Sequence, residues 1–416
     1  MKLKFIYLIF CLPIIGCAPG LPVTSNTKLD MGTPPFVPGT DIQFTVRLTA
    51  EAGKEIHLCQ YTQMPQHPSG IFVSGRAHEW SGTVHHYAYF RTKLDKLPDG
   101  KTFDEVWDCD EDTSTDALHV GVVVEQIAKN QVDFPAGIAL PFSSQEIGVI
   151  QVHAVNTTQT PVEANLQVTF NTIPADQVTQ HMGFLAFYDP FIYVPPVSRA
   201  TAHMRCAIPA DIHLFELTPH YHLRGQKFDV LVHTSNTTST TPLFESTDWE
   251  HPKVWRGDMP VAAGSSVQFS CEYKNDDARV YTQGAYKQTN EMCFLWGYYY
   301  PAFTDPNADF CNVAGNDAQY GVGAKTCGET LRCVQQCADA DAPVIKQDGR
   351  IDVGECWQKC VSDSCPSASK PLFDLITCVK DHCGMECKNS KDPGCTSCAT
   401  SNCLMPGLAC QTAKCQ

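Results

Sequence analysis

Residues 163–170 read Glu-Ala-Asn-Leu-Gln-Val-Thr-Phe. Apolar and polar side chains alternate there with the period of two that turns one face of a β-strand into a core and the other toward water. Just before it, IGVIQVHAV (147–155) is a second β-type run. Further such runs, bounded by turn residues, lie on the N-terminal side: IQFTVRL (42–48), HHYAYF (85–90) and HVGVVV (119–124). Beyond a break at Tyr193-Val194-Pro195-Pro196-Val197 the style returns with IHLFEL (212–217), FDVLVHT (228–234), SSVQFSCEY (265–273) and FLWGYYY (294–300). No stretch of helical period of any length precedes residue 325. The pattern predicts an all-β body of two antiparallel β-sandwiches in tandem, residues 41–196 and 197–318.

The full chain of 416 residues carries 30 Lys and Arg against 45 Asp and Glu, a net charge of −15. An acidic surface excludes a nucleic-acid partner, which needs clustered cations. The 21 Phe, 14 Tyr and 6 Trp exclude disorder of the whole chain. Lys2 and Lys4 followed by the apolar run Phe5–Ile15 read as an export signal, and Ile14-Ile15-Gly16-Cys17 has the form of a bacterial lipobox. The expectation is a signal peptide over residues 1–16, a lipidated Cys17 and a Pro-, Gly- and Thr-rich tether over 17–40. That places the chain in the bacterial cell envelope as a lipoprotein, at the outer membrane or cell surface, or else secreted. The membrane would be reached only through the lipid anchor.

Export changes the reading of the 22 cysteines, because disulfides persist outside the cytoplasm. Cys59, Cys109, Cys206, Cys271, Cys293 and Cys311 are dispersed over the body, and fourteen more crowd between Cys327 and Cys415. In that tail, CVQQC, CWQKCVSDSC and CVKDHCGMEC space cysteines three or four apart, on one face of short helices. Residues 325–416 are therefore read as a small, mainly helical, disulfide-rich module. The competing reading is a metal cluster, since Cys395-x2-Cys398 resembles a zinc half-site.

Among the 15 histidines a few stand in suggestive company. His220-Tyr221-His222 puts two imidazoles at i and i+2, one face of a strand. His85 and His86 are adjacent, and on a regular strand they would point opposite ways unless a bulge or strand end intervenes. His153 lies in an apolar run, and Met292, in Glu291-Met292-Cys293, offers a thioether. His57, His67, His78, His119, His181, His203, His213, His233, His251 and His382 read as ordinary core or surface residues, with His203 and His213 the first to examine. Imidazole with thioether suits copper, Cu(I) above all. The sequence has no HExxH, GxSxG or phosphate-cradling glycine loop.

The order TVHH, QVH, HYH, EMC resembles the copper type II ascorbate-dependent monooxygenases, the family of peptidylglycine α-hydroxylating monooxygenase and dopamine β-monooxygenase. Ile56-His57-Leu58-Cys59, Val106-Trp107-Asp108-Cys109-Asp110-Glu111 and Tyr298-Tyr299-Tyr300-Pro301 add to the resemblance, which spans about residues 41–315. It implies two jelly-roll-like sandwiches, each carrying one copper, facing one another across a wet cleft. By the same resemblance His85, His86 and His153 would hold the electron-transfer copper. His220, His222 and Met292 would form the catalytic site, holding the copper that meets O2. It also implies the pairs Cys59–Cys109, Cys206–Cys311 and Cys271–Cys293. Ascorbate or a similar reductant would reduce both coppers, one oxygen atom entering a substrate C–H bond and the other leaving as water.

The chain departs from the peptide-amidating branch where that branch grips a carboxylate: those positions are Thr218, Phe294 and Trp296 here. The expected substrate is a small, partly apolar organic molecule and not a glycine-extended peptide. The alternatives are a copper-holding lipoprotein without turnover and a structural or adhesion lipoprotein whose sandwiches are scaffolds. The sequons at Asn156 and Asn236 read as plain loop residues.

Overall fold

The strand Val162–Thr172 buries Ala164, Leu166, Val168 and Phe170 and leaves the residues between them half-exposed. In the computed structural model it lies antiparallel between Ile42–Ala50 and Ile71–Ser81, with Leu166 opposite both Val46 and Trp80. Residues 36–103, 105–109, 118–234, 238–305, 309–311, 318–342, 344–345, 351–384, 386–388 and 392–415 are described. The expected signal peptide, Cys17, most of the tether, Asp110, Glu111 and Asn236 lie outside them.

The described body is mostly β. One sheet continues from Ile71–Ser81 to Ile138–Phe142 and Gln180–His181. A second runs Val106–Asp108, Glu55–Gln63, Ile147–Val155, Val84–Thr92, Leu118–Glu125. Val46, Leu166 and Phe170 of the first meet Tyr89, Ile150 and Val152 of the second in one buried core. These two sheets form the first pair.

The second pair begins at Gly183–Tyr188, which hydrogen-bonds to Cys293–Tyr300 and, in parallel, to Phe310–Cys311. Its sheets are Trp255–Val261, Ile212–Tyr221, Cys293–Tyr300, Gly183–Tyr188, Phe310–Cys311 and Phe244–Ser246, Gly225–His233, Ser266–Asn275, Ser198–Ala207, Gln319–Tyr320. Leu214, Leu295 and Tyr299 of one pack with Met204, Phe228 and Phe269 of the other. The division expected at 196/197 therefore falls too late, for the chain crosses between pairs before Gly183. The Pro195-Pro196 break is instead the turn into Ser198–Ala207, whose Ser198 Oγ donates to Pro195 O.

The tail is helical and stapled. Its helices are Cys327–Val334, Glu355–Ser362, Ser369–Cys383, Pro393–Asn402 and Leu404–Thr412. Seven disulfides join Cys327–Cys410, Cys333–Cys360, Cys337–Cys356, Cys365–Cys415, Cys378–Cys403, Cys383–Cys398 and Cys387–Cys395. Cys395 and Cys398 each sit in a different disulfide, so their sulfurs are not free to form the zinc half-site. The tail does not stand apart. Val361, Leu372 and Phe373 enter the core of the second sheet pair, and Phe373 stacks on Phe191 at 5.5 Å. No described helix is long and apolar enough to cross a membrane.

Candidate metal centre

Val84–Thr92 and Ile147–Val155 are neighbours in one sheet, and their register shifts where the first histidine pair sits. Val84 faces Ala154 and His86 faces His153, so His85 is the extra residue of a bulge. The bulge removes the opposite-face problem of adjacent residues. The Nδ1 atoms of His85 and His86 are 3.1 Å apart, and ligand nitrogens of His85, His86 and His153 lie within 4.8 Å of one another. A tetrahedral ion with bonds of about 2.0 Å sets its nitrogens about 3.3 Å apart, so small ring rotations would close the site. His153 Nε2 lies 3.0 Å from Glu55 Oε1. A carboxylate accepts, so Nε2 carries the proton and Nδ1 is left to ligate.

The second set stands where Ile212–Tyr221 ends. His220 and His222 share a face, their rings 5.2 Å apart, while Tyr221 between them turns into the core. His222 Nδ1 donates to Asn290 O (3.2 Å) and His220 Nδ1 donates to Gln126 Oε1 (2.9 Å). Both contacts leave Nε2 as the ligating nitrogen. Tyr221 pairs with Cys293, and half-buried Met292 directly precedes Cys293, its carbonyl accepting from the Tyr273 hydroxyl at 2.6 Å. The disulfide Cys271–Cys293 anchors that strand to the neighbouring sheet, and Cys59–Cys109 and Cys206–Cys311 also form. The loop leading to Met292 is braced twice. Arg224 Nη1 donates to Lys287 O and Glu291 Oε1, and Gln358 of the tail accepts from Gln283 N through Oε1.

The two sets adjoin. His86 and His220 meet edge-to-face at 5.1 Å, and His57 stacks on His153 at 4.3 Å. Six imidazoles, His57, His153, His85, His86, His220 and His222, thus form one unbroken series of ring contacts. The wet cleft expected between the sheet pairs is replaced by direct contact. The cause is a buried ionic join: Arg76 of the first pair binds Glu125 of its own pair and Glu216 of the second (2.6 Å), and Arg256 holds the other oxygen of Glu216. Tyr298 adds its hydroxyl to Val122 O at 2.6 Å.

Burial keeps His85, His86, His220 and His222 uncharged. It lowers His220 to about 4 and pushes His85, His86 and His222 further down, each helped by neighbouring imidazoles. Lys287 adds a positive charge near His85; its ammonium lies 4.9 Å from the ring of Trp249, which itself stacks on His85 at 5.7 Å. Neutral imidazoles are metal ligands. His85 Nε2 and His222 Nε2 are buried with no hydrogen-bond partner among the described residues, a cost that a bound cation would relieve. Neutral imidazoles, with a thioether one residue before the Cys293 strand, are a donor set that fits copper.

Reading the sequence alone missed His57, Glu55, Gln126, Trp249 and Lys287. Only His57 had a sequence signal, its place in the Ile56–Cys59 motif. His203 is buried beside Ser270, and His213 pairs with exposed Asp258 at 2.6 Å. The three positions expected to face substrate do gather near the second set. Thr218 pairs across the sheet with Trp296 and His220 with Phe294, and Trp296 stacks on His220 at 5.5 Å. Tyr188 stacks on Phe294 at 4.7 Å.

No curated protein matches the chain. A family model does match part of it, described as copper type II ascorbate-dependent monooxygenase, C-terminal domain, over residues 182–321. The match opens where the chain enters the second sheet pair and contains His220, His222 and Met292, so this segment is similar to the C-terminal domain of a family that depends on copper and ascorbate.

Proposed function

We propose that the protein is a copper-dependent monooxygenase that uses O2 and an ascorbate-like reductant to hydroxylate a C–H bond of a small organic substrate. The observation that carries the reading is the six-imidazole series joining both histidine sets, two of whose members, His220 and His222, lie within the segment that matches the family. In this reading the two sheet pairs are jelly-roll-like sandwiches, each with one copper. His85, His86 and His153 hold one ion, and His220, His222 and Met292 the other. Copper there would supply the one-electron chemistry that reduces O2 while one of its oxygen atoms enters the substrate.

The protein's own groups do the positioning. Glu55, Gln126 and Asn290 O hold protons on the outer ring nitrogens and so aim the inner lone pairs. The aromatic face of Tyr188, Phe294 and Trp296 beside His220 favours a partly apolar substrate and offers no cation for a peptide carboxylate. His153, His220 and His222 are buried from bulk water, and His85 and His86 are half-buried. Ten disulfides among the described residues support an exported protein, in keeping with the lipobox reading of residues 14–17.

The test is copper per chain and oxygen uptake with ascorbate, wild type beside His220→Ala/Met292→Ala. Two coppers falling to one, with substrate-dependent uptake lost, supports the reading. No tight copper in the wild type rejects it; copper without uptake on any C–H substrate leaves a copper-holding protein.

A further inference from the structure

We propose that Gln126, which belongs to the first sheet pair, fixes the tautomer of His220 in the second, so that the second metal set is fully formed only while the two pairs are in contact. The inference rests on the copper reading for what the tautomer is used for, but the tautomer itself is a property of the metal-free chain.

The argument begins with the amide. Gln126 is buried, and its Nε2 donates to two carbonyls, Trp249 O at 2.6 Å and Glu250 O at 3.1 Å. Both acceptors can only accept, so the amide cannot flip without placing its oxygen against two others. Oε1 is thereby forced toward His220 Nδ1, 2.9 Å away. A neutral imidazole facing a fixed acceptor keeps its proton on the facing nitrogen, and Nε2 is left with the lone pair. His222 has its Nδ1 set by Asn290 O, from its own sheet pair. His220 has no such local partner among the described residues; its Nδ1 depends on a residue 94 positions earlier in the chain.

Two consequences follow. Separation of the sheet pairs would free both nitrogens of His220 to carry the proton, and the ligand geometry would lose its bias. By linkage, a metal that needs Nε2 of His220 stabilises the contact by the same factor that the contact raises its affinity. Gln126 is thus a positioning residue for the second set, and it acts from across the interface.

The test uses 15N-histidine-labelled full-length protein without metal, with His220 signals assigned by their loss in His220→Asn. In the wild type, long-range proton–nitrogen correlations at neutral pH should show Nδ1 protonated and Nε2 bare. Gln126→Leu should give a mixture or the Nε2-protonated form. Copper titration of the same proteins should show the second set weakened about 10–100-fold in Gln126→Leu, the usual effect of losing such a partner, with the first set unchanged. An Nε2-protonated His220 in the wild type overturns the proposal even if no variant folds, as does an unchanged tautomer and affinity in Gln126→Leu. The expected tautomers in a wild type that binds no copper at His220 would leave the positioning role standing and reject the copper reading instead.

Discussion

Replacing Arg76 with Met should loosen the contact on which the histidine series depends, by an amount that the local charges set. Arg76 is 1% exposed, and its two arms end on Glu125 and Glu216, whose side chains are each 2% exposed. Removing one partner from a buried ionic group typically costs about 3–5 kcal/mol, because the orphaned charge stays in a medium that solvates it poorly. The burden falls unequally. Glu216 keeps Arg256 at 2.6 Å, whereas among the described residues Glu125 keeps only the amide of Asn130, at 3.3 Å. Unfolding entropy of about 2.1 cal/mol/K per residue over some 380 residues is roughly 0.8 kcal/mol/K, so the melting temperature should fall by roughly 4–6 °C. Calorimetry on the oxidised protein at neutral pH measures this. Adding Glu125→Gln and Glu216→Gln to Arg76→Met should recover part of the loss, since the stranded charges are then gone. A single variant within 1 °C of wild type, or a triple variant no more stable than the single, would refute the claim that buried charge holds the sheet pairs together.

Met292→Ala should weaken copper at the second set and spare the first; isothermal titration that shows both sites lost together would contradict two separate ligand sets. Glu55→Ala should lower copper affinity at the first set by about 10–100-fold, read by chelator competition, because His153 then loses the acceptor that fixes its Nε2 proton. Stability of the metal-free protein should depend on pH in a defined window. Burial lowers His78, His203 and His220 to about 4 and His86 and His222 further, so below the ordinary value near 6.5 the unfolded chain takes up protons that the folded one refuses. Stability should be indifferent to these groups above pH 7 and fall as pH drops from about 6.5 toward 4, at least as steeply with copper bound, because metal and proton compete for the same imidazoles. A urea midpoint equal at pH 7.5 and 5 would oppose that account.

The strands were legible because their information is local: alternation at 163–170 needs only side-chain order and the two faces of a pleated strand. The paired histidines were legible as a family order of motifs and not as geometry. What made His85 and His86 usable together is a bulge, which exists only in the pairing of Val84–Thr92 with Ile147–Val155 and leaves no mark on either strand alone. Glu55, Gln126, Trp249 and Lys287 escaped for a related reason. Each reaches its histidine across a long chain separation, and a lone Gln after a β-run looks like any turn residue. The crossing at residue 182 was misplaced because Pro195-Pro196 is a strong turn signal, and a turn within a sheet reads the same as a linker between domains. The helices of the tail were expected from cysteine spacing. That Phe373 would pack on Phe191 was not, since an apolar helical face carries no label for its partner.

The brace from Gln358 to Gln283 makes the tail a support of the loop that precedes Met292. Its helix, Glu355–Ser362, is itself cross-linked through Cys356 to Cys337 and through Cys360 to Cys333, so the brace is only as firm as two disulfides. A chain cut at the end of the family match, residue 321, would retain every proposed copper ligand and still lose the prop beneath the loop that ends at Met292. The shortest copper-competent form should therefore run beyond Ser362, and a reducing environment should reach the thioether site through this strut before it disturbs the histidines.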